Sequence, residues 1–286
     1  MLIERLAGNP IIQPKMSSSI GTNINGPSLI RVPEWVSNPL GRYYLYFAHH
    51  KGTFIRLAYA DDLSGHWKIY EPGVLRIEDS FCYNHIASPD VHIDESRKEI
   101  RMYFHGANLD SVTQGTKVGI SPDGMNFRCF DRWLGNPYFR VFRWNKRYFA
   151  LGMPGIIYRS EDGLSNFENG PTLFGPNMRH SALKLEGNIL SVFYSNAGDA
   201  PERILLSTIE LTNDWMNWRE SQAQIILEPE KLYEGADLPL VPSVRNLAPH
   251  RVRQLRDPAI FVEEGKTYLI YSVAGESGLA IAEIKE

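Results

Sequence analysis

The chain has no apolar run approaching the ~18 residues that a membrane-spanning helix needs. Its first residues, Met1-Leu2-Ile3-Glu4-Arg5-Leu6, lack the basic-then-apolar order of a secretory leader. Both absences make a cytoplasmic protein with no membrane partner the default expectation. Charge of one sign is scarce as well. Thirty Lys and Arg stand against 33 Asp and Glu, a formal net charge of -3, so no global field draws nucleic acid or anionic lipid. Cys82 and Cys129 are the only 2 cysteines in 286 residues, too few for a disulfide framework, and both are expected as buried thiols. No segment requires a helix of any length.

What is present suits an all-β protein rich in turns: 12% aromatics, 18 prolines and 23 glycines. Five segments read as strand entrances. They begin at Asn25-Gly26-Pro27, Ala87-Ser88-Pro89-Asp90, Gly135-Asn136-Pro137, Met178-Arg179-His180 and Arg256-Asp257-Pro258. Each runs into an apolar stretch, and a polar turn then leads to an aromatic-rich strand such as Tyr43 to Phe47 or Leu190 to Tyr194. A third strand follows each time, from Ile55, Thr116, Ile156, Ile204 and Leu279. Four of these third strands end in a related turn, as in Ser121-Pro-Asp-Gly-Met-Asn-Phe127 and Ser160-Glu-Asp-Gly-Leu-Ser-Asn-Phe167. There the Asp and Gly make the turn and the aromatic begins a short outer strand.

Four strands per repeat, repeated five times, predict a five-bladed β-propeller with four-stranded antiparallel blades over residues 1–286. The fifth repeat has no fourth strand of its own. An open strand edge invites aggregation, so Leu2 to Leu6 is expected to pair in blade five and close the ring.

In such a blade the entrances and the loops between second and third strands open on one face, around the central channel, where polar loop residues carry function. Two long connections share Glu-Pro-x-x-Leu followed by acidic residues: Glu71 to His85 with Glu78 and Asp79, and Glu228 to Pro239 with Glu234 and Asp237. Their four carboxylates are expected above the channel mouth.

Five blades with Asp-Pro entrances resemble the glycoside hydrolase superfamily that includes families 43, 32, 68, 117 and 130. Ala87-Ser-Pro-Asp-Val91 is similar to the second-blade entrance of family 43, Arg256-Asp-Pro258 to an element that recurs across the superfamily, and Asn9-Pro-Ile-Ile12 to the lead-in of several members. The resemblance implies a saccharide substrate. It also shows a departure. The first, third and fourth entrances, Asn25-Gly26-Pro27, Asn136-Pro137 and Arg179-His180-Ser181, carry no carboxylate. The family 43 triad is therefore absent from its usual places, and the chain reads as a divergent member. Family 117, which uses a histidine as acid, keeps His180 in play by analogy.

Glycoside hydrolysis usually needs two carboxyl groups flanking the scissile bond. Asp90 and Asp257 are expected at equivalent entrance positions, facing a common funnel, with Arg256 keeping Asp257 ionised. His180 or Glu234 is the expected proton donor. Arg256, Arg179, Asp237, His85, Asn25, Arg140, His50 and His105 are expected to bind sugar hydroxyls. For each the plainer alternative, a group that only holds the ring together, stays open. No cofactor is implied. Several histidines leave a channel metal ion open, but none shows the close, regular spacing of a zinc site. Trp35 and Trp133, in or beside loops, are better stacking candidates than the strand aromatics.

The expected activity is cleavage of a glycosidic bond in a small saccharide at a pocket-shaped site. The alternatives are a non-catalytic carbohydrate-binding propeller, a protein-interaction propeller, or a phosphorylase akin to family 130 with Arg140, Arg179 and Arg256 as its anion site. The sugar and the oligomeric state are left open.

Overall fold

The second strand of each repeat dictates the architecture. Tyr43–Ala48 is buried along its whole length, so both of its faces need an apolar neighbour. Blades stacked face to face around an axis supply one on each side. The computed structural model describes residues 1–110 and 112–285, and among them five four-stranded antiparallel sheets form that ring.

Blade one holds Asn25–Arg31, Tyr43–Ala48, Phe54–Ala60 and Lys68–Arg76. Blade two holds Tyr83–Asp94, Glu99–Ala107, Gln114–Ser121 and the two-residue Arg128–Cys129. Blade three comprises Arg140–Trp144, Arg147–Gly152, Ile156–Ser160 and Glu168–Thr172. Blade four comprises Met178–Glu186, Ile189–Asn196, Ile204–Glu210 and Gln224–Leu227. Blade five takes Arg256–Glu263, Lys266–Ser272 and Leu279–Lys285, and its outer strand is the N-terminal Leu2–Arg5. The closing pair is antiparallel, with Leu2 opposite Lys285 and Arg5 opposite Ala282. Among the described residues the only helical pieces are three-residue 3-10 turns, and none is a helix long and apolar enough to cross a membrane.

There is no single central core. Five apolar wedges lie between neighbouring blades, one per interface. The wedge between blades three and four is rich in aromatics, with Trp215 and Trp218 packed against Phe149 at 5.9 and 5.0 Å between ring centres. The repeated turn owes its shape to one carboxylate. Asp123 Oδ1 accepts from the amides of Met125 and Asn126 at 2.8 and 2.9 Å. Asp162 does the same for Leu164 and Ser165 at 2.7 and 2.8 Å. These side chains mimic a backbone turn. The aromatic opens the outer strand directly in blades one to three. In blade four Trp218 instead fills the wedge, and the strand starts at Gln224.

The inner strands carry the feature that positions the site. Near the start of those in blades one, two, four and five the pairing register shifts, leaving an extra residue. That residue has positive φ: Gly26 (59°), Ser88 (51°), His180 (40°) and Asp257 (47°), with Tyr138 (64°) as the counterpart just ahead of Arg140 in blade three. Only glycine takes this conformation without cost, so four of the five positions store strain of about 1 kcal/mol or more. Such outliers mark places where the surrounding structure forces a side chain into one direction.

Candidate functional site

The five left-handed residues form a ring at the channel mouth, and several of them meet their neighbours there. Gly26 lies so close to blade two that an added Cβ would sit 2.9 Å from Ser88 Cα. The Tyr138 ring is 5.1 Å from that of His180 and stacks on His105 at 4.2 Å. His180 Nδ1 is 3.0 Å from Asp257 Oδ1, and Ser272 Oγ donates to Asp257 Oδ2 at 3.1 Å. Asp257 and His180 are buried.

Two further carboxyl groups reach this ring from hairpin loops. Glu202, between the second and third strands of blade four, and Glu276, in the same loop of blade five, flank one guanidinium. Arg256 Nη1 donates to Glu276 Oε1 at 3.0 Å, and Arg256 Nε lies 3.1 Å from Glu202 Oε2. That Nε proton is directed to Gln254 Oε1 at 3.0 Å, so Glu202 Oε2 is left without a hydrogen-bond partner. Glu202 Oε1 accepts from Ser195 Oγ at 2.7 Å. Arg179 Nε stands 3.7 Å from Glu202 Oε1 and 3.3 Å from His180 Nδ1. His105 Nδ1, also buried, is likewise unpartnered. Buried polar atoms without partners are few in folded proteins, and each asks for an explanation.

The electrostatics separate the carboxyl groups. Burial, reinforced by the nearby Glu276 charge, pushes Asp257 up to about 6. Glu276 moves the other way, to about 2. Burial opposes its ionisation, but His50 at 3.5 Å, Arg256 at 3.0 Å and an Asn23 amide donating at 2.5 Å outweigh it. Of this interacting pair, Asp257 is the group that takes up a proton first as pH falls. Burial, with the charges of Arg179 and Arg256, holds His180 well below its usual range, so its imidazole is neutral. Burial and His85 do the same to His105. Two carboxyl groups whose surroundings push their pKa values apart, beside a neutral imidazole, can act as acid and base together.

The expected residues are distributed unequally. Asp257, His180, Arg179, Arg256, His50 and His105 meet at the ring. Asn25 joins through Asn23, to whose Oδ1 its side chain donates at 3.1 Å. His85 packs edge-on against His105 at 5.6 Å.

Four expectations are corrected. Asp90 is not equivalent to Asp257. The register makes it the counterpart of Ser28 and Ala259, two residues beyond the ring, in a second tier deeper in the channel. There Asp90 Oδ2 accepts from the Val141 amide at 2.8 Å and meets His92 Nε2 at 2.7 Å. Arg140 occupies the same tier, and its guanidinium donates to the carbonyls of Ser181, Ser88, Pro89 and Phe139. It is a cross-channel tie, engaged through Nε and Nη1.

Glu234, expected above the mouth, is buried against the outer strand of blade five. Its Oε1 accepts from Arg5 Nε at 2.7 Å and from the Tyr271 hydroxyl at 2.8 Å. Its Oε2 accepts from Arg5 Nη2 and the amides of Glu230 and Lys231. Both oxygens are thus occupied by donors away from the ring. Asp237 is exposed at the wall of a neighbouring cavity. Among the described residues no cluster of three or more His, Cys, Asp or Glu side chains is arranged to hold a metal ion.

That cavity, about 980 Å³, opens beside the ring between the N-terminal segment and the long connection from blade four to blade five. Asn23 lines it and also donates to Glu276, which links cavity and carboxyl cluster. The long connection also covers the ring. The Val244 carbonyl accepts from Arg179 at 3.1 Å, and the Asn246 carbonyl accepts from Arg256 at 3.0 Å. Arg245 fastens the segment by donating to the Pro176 carbonyl at 2.6 Å.

Sequence reasoning passed over Tyr138, Asn23 and Gln254, and it placed Glu202 and Glu276 among the loop residues of this face without assigning them a part in the chemistry. Tyr138 was hidden because Pro137 stands two residues earlier than the prolines of the other entrances. Glu202 and Glu276 did carry a signal: both lie in the same loop of adjacent repeats, shortly before the third strand.

No protein-family description matches the chain. A curated relative, uncharacterized protein R118 of Acanthamoeba polyphaga mimivirus, is 36% identical over 99% of this chain and 90% of its own length. Among solved structures, a glycosyl hydrolase from Bacteroides ovatus superposes with a TM-score of 0.73 at 12% identity, covering 99% of this chain and 93% of its own. A GH43 enzyme of Xanthomonas citri complexed with xylotriose superposes at 0.64 and 11% identity, covering 93% and 88%. At these identities the likeness is one of fold: the structural neighbours are five-bladed propellers.

Proposed function

The chain belongs to the family of the mimiviral protein R118, and from its propeller frame and axial cluster we propose that it cleaves a glycosidic bond in a small saccharide. The observation that carries this reading is the convergence of three buried carboxyl groups, Glu202, Asp257 and Glu276, with His180 at the channel mouth. Asp257 bears the proton and delivers it to the departing glycosidic oxygen. Glu276 keeps its charge and activates water or steadies positive charge on the sugar ring. Arg256 holds the two glutamates in register. His180 orients Asp257. The unpartnered Glu202 Oε2 and His105 Nδ1 receive sugar hydroxyls. The cavity lined by Asn23 and His49 leads the saccharide in, and the Val244–Asn246 segment withdraws from Arg179 and Arg256 as it binds.

The test is turnover on a panel of nitrophenyl glycosides and of xylo- and manno-oligosaccharides, with and without phosphate. Asp257→Asn is expected to lower kcat by about 100-fold or more. Because the acidic form of Asp257 is present below its raised pKa of about 6 and lost above it, kcat/KM falls as pH rises through that value. Full turnover by Asp257→Asn on a cleaved substrate would remove Asp257 from the chemistry. The segment closed over both arginines favours a second reading, a propeller that binds saccharides without cleaving them. Binding with no hydrolysis in the same panel selects that reading, and turnover that requires phosphate selects a phosphorylase.

A further inference from the structure

Outside the ring, on the same face, blade two carries three exposed aromatic side chains, Phe81, Tyr83 and Trp133. Their placement is built. Phe81 has φ of 56°, a left-handed conformation that a bulky residue takes only under constraint. The constraint is Ser80, whose hydroxyl donates to the Ile77 carbonyl at 2.7 Å and accepts from the Cys82 amide at 3.2 Å. Trp133 lies flush on Gly115, where an added Cβ would come within 2.8 Å of the indole. Between the two rings runs Lys117, a buried side chain whose ammonium is 5.7 Å from the Phe81 ring centre and 4.3 Å from that of Trp133. Asp131, an exposed carboxylate at 2.7 Å, holds that ammonium. The indole is thus fixed in position with part of its surface open to solvent.

The strip runs outward from the ring. Tyr83 stands two residues before His85, and Cys82 packs on Gly106, the residue after His105. Rigid aromatic faces alternating with charged and hydroxyl groups fit a ligand whose apolar faces alternate with hydroxyl edges, as successive sugar rings do. A protein-docking patch would be more continuously apolar. We propose that Phe81, Tyr83 and Trp133 form a distal subsite that stacks the outer sugar rings of an oligosaccharide whose terminal residue occupies the axial cluster. This inference rests on the saccharide reading above and deepens it by assigning the site a chain longer than a disaccharide.

The test is titration of the full chain with xylobiose, xylohexaose, mannobiose and mannohexaose, comparing wild type with Trp133→Ala, Trp133→Phe and Phe81→Ala. One hexaose is expected to bind roughly tenfold or more tighter than its disaccharide. Trp133→Ala abolishes that gain without changing disaccharide affinity, and Trp133→Phe restores part of it. If the gain survives Trp133→Ala and Phe81→Ala, or if disaccharides bind with no gain, the distal subsite is wrong and the axial reading stands. If hexaoses bind through Trp133 while no glycoside of any length is cleaved, the subsite stands and the hydrolytic reading falls. If Trp133→Ala halves the mass by light scattering and leaves hexaose binding intact, a second copy of the chain covers the strip and the proposal is overturned. Binding of none of the four sugars overturns both.

Discussion

Replacing Glu234 by Gln separates the two roles open to that residue. The structure makes Glu234 the clasp of the ring. Its two oxygens accept five hydrogen bonds, two of them from Arg5 on the strand that closes blade five. Glutamine keeps the shape but turns one oxygen into an NH2 group. Either orientation sets that donor against at least two others, and it removes the charge that balances a mostly buried guanidinium. Losing one partner of a buried ion pair costs about 3–5 kcal/mol. Arg5 keeps the Glu228 carbonyl at 2.8 Å and the exposed Glu230 carboxylate at 2.9 Å, so the lower end applies, about 3 kcal/mol. For 286 residues, at about 2.1 cal/mol/K of unfolding entropy each, that is a fall in Tm of about 5 °C. Calorimetry reads the shift, and hydrogen exchange should show Leu2–Arg5 and Leu279–Lys285 losing protection before the other strands. Turnover below the new transition should remain within about twofold of wild type. The refuting result is the reverse: a Tm within about 2 °C of wild type together with loss of activity, which would make Glu234 the proton donor expected from sequence. The double replacement Arg5→Met with Glu234→Met should recover part of the loss, because neither charge is then stranded.

Asp90→Asn should cost about 1–2 kcal/mol in denaturant titration, through weaker contacts to His92 and the Val141 amide, and leave kcat near wild type. The Asp90 pKa lies below its ordinary value: burial works against this, and His92 and Arg140 prevail. Its contribution is therefore present at neutral pH, and the wild-type advantage over the variant should shrink as pH falls below about 4. A collapse of kcat with unchanged stability would return Asp90 to the chemistry. Gly26→Ala should destabilise by about 1–3 kcal/mol, because the new Cβ meets Ser88 Cα at 2.9 Å on a backbone with φ of 59°. An unchanged denaturation midpoint would mean that blades one and two can separate at the axis.

The blades were legible because each rests on local signals. Buried second strands, Asp-anchored turns and the unpaired edge of blade five all follow from residue type and spacing, and the structure agrees on five sheets closed by Leu2–Arg5. The site was legible only where a residue sits in the ring itself, as Asp257 and His180 do. Asp90 was misplaced because a Pro-Asp and an Asp-Pro pair look interchangeable until the extra residue in the pairing register is counted. Glu234 and Arg140 are polar residues at plausible addresses whose partners, Arg5 and the carbonyls across the channel, are remote in sequence. Burial decides their roles, and burial is a property of the assembled ring. Glu202 and Glu276 reach the centre from loops, and no strand pattern points to where a loop side chain ends.

The closing strand also sets a schedule. Leu2–Arg5 leaves the ribosome well before its partner Leu279–Lys285, which lies at the other end of the propeller in sequence. At about 5–20 residues per second, tens of seconds or so separate the two. Through that interval the apolar wedges on both sides of blade five, with Ile270, Tyr271 and Ile281 at their centres, have no finished sheet to cover them. A nascent propeller of this kind is an open arc with two sticky ends, each matching the end of any other copy. Its exposure to misassembly is governed by how fast the last blade arrives.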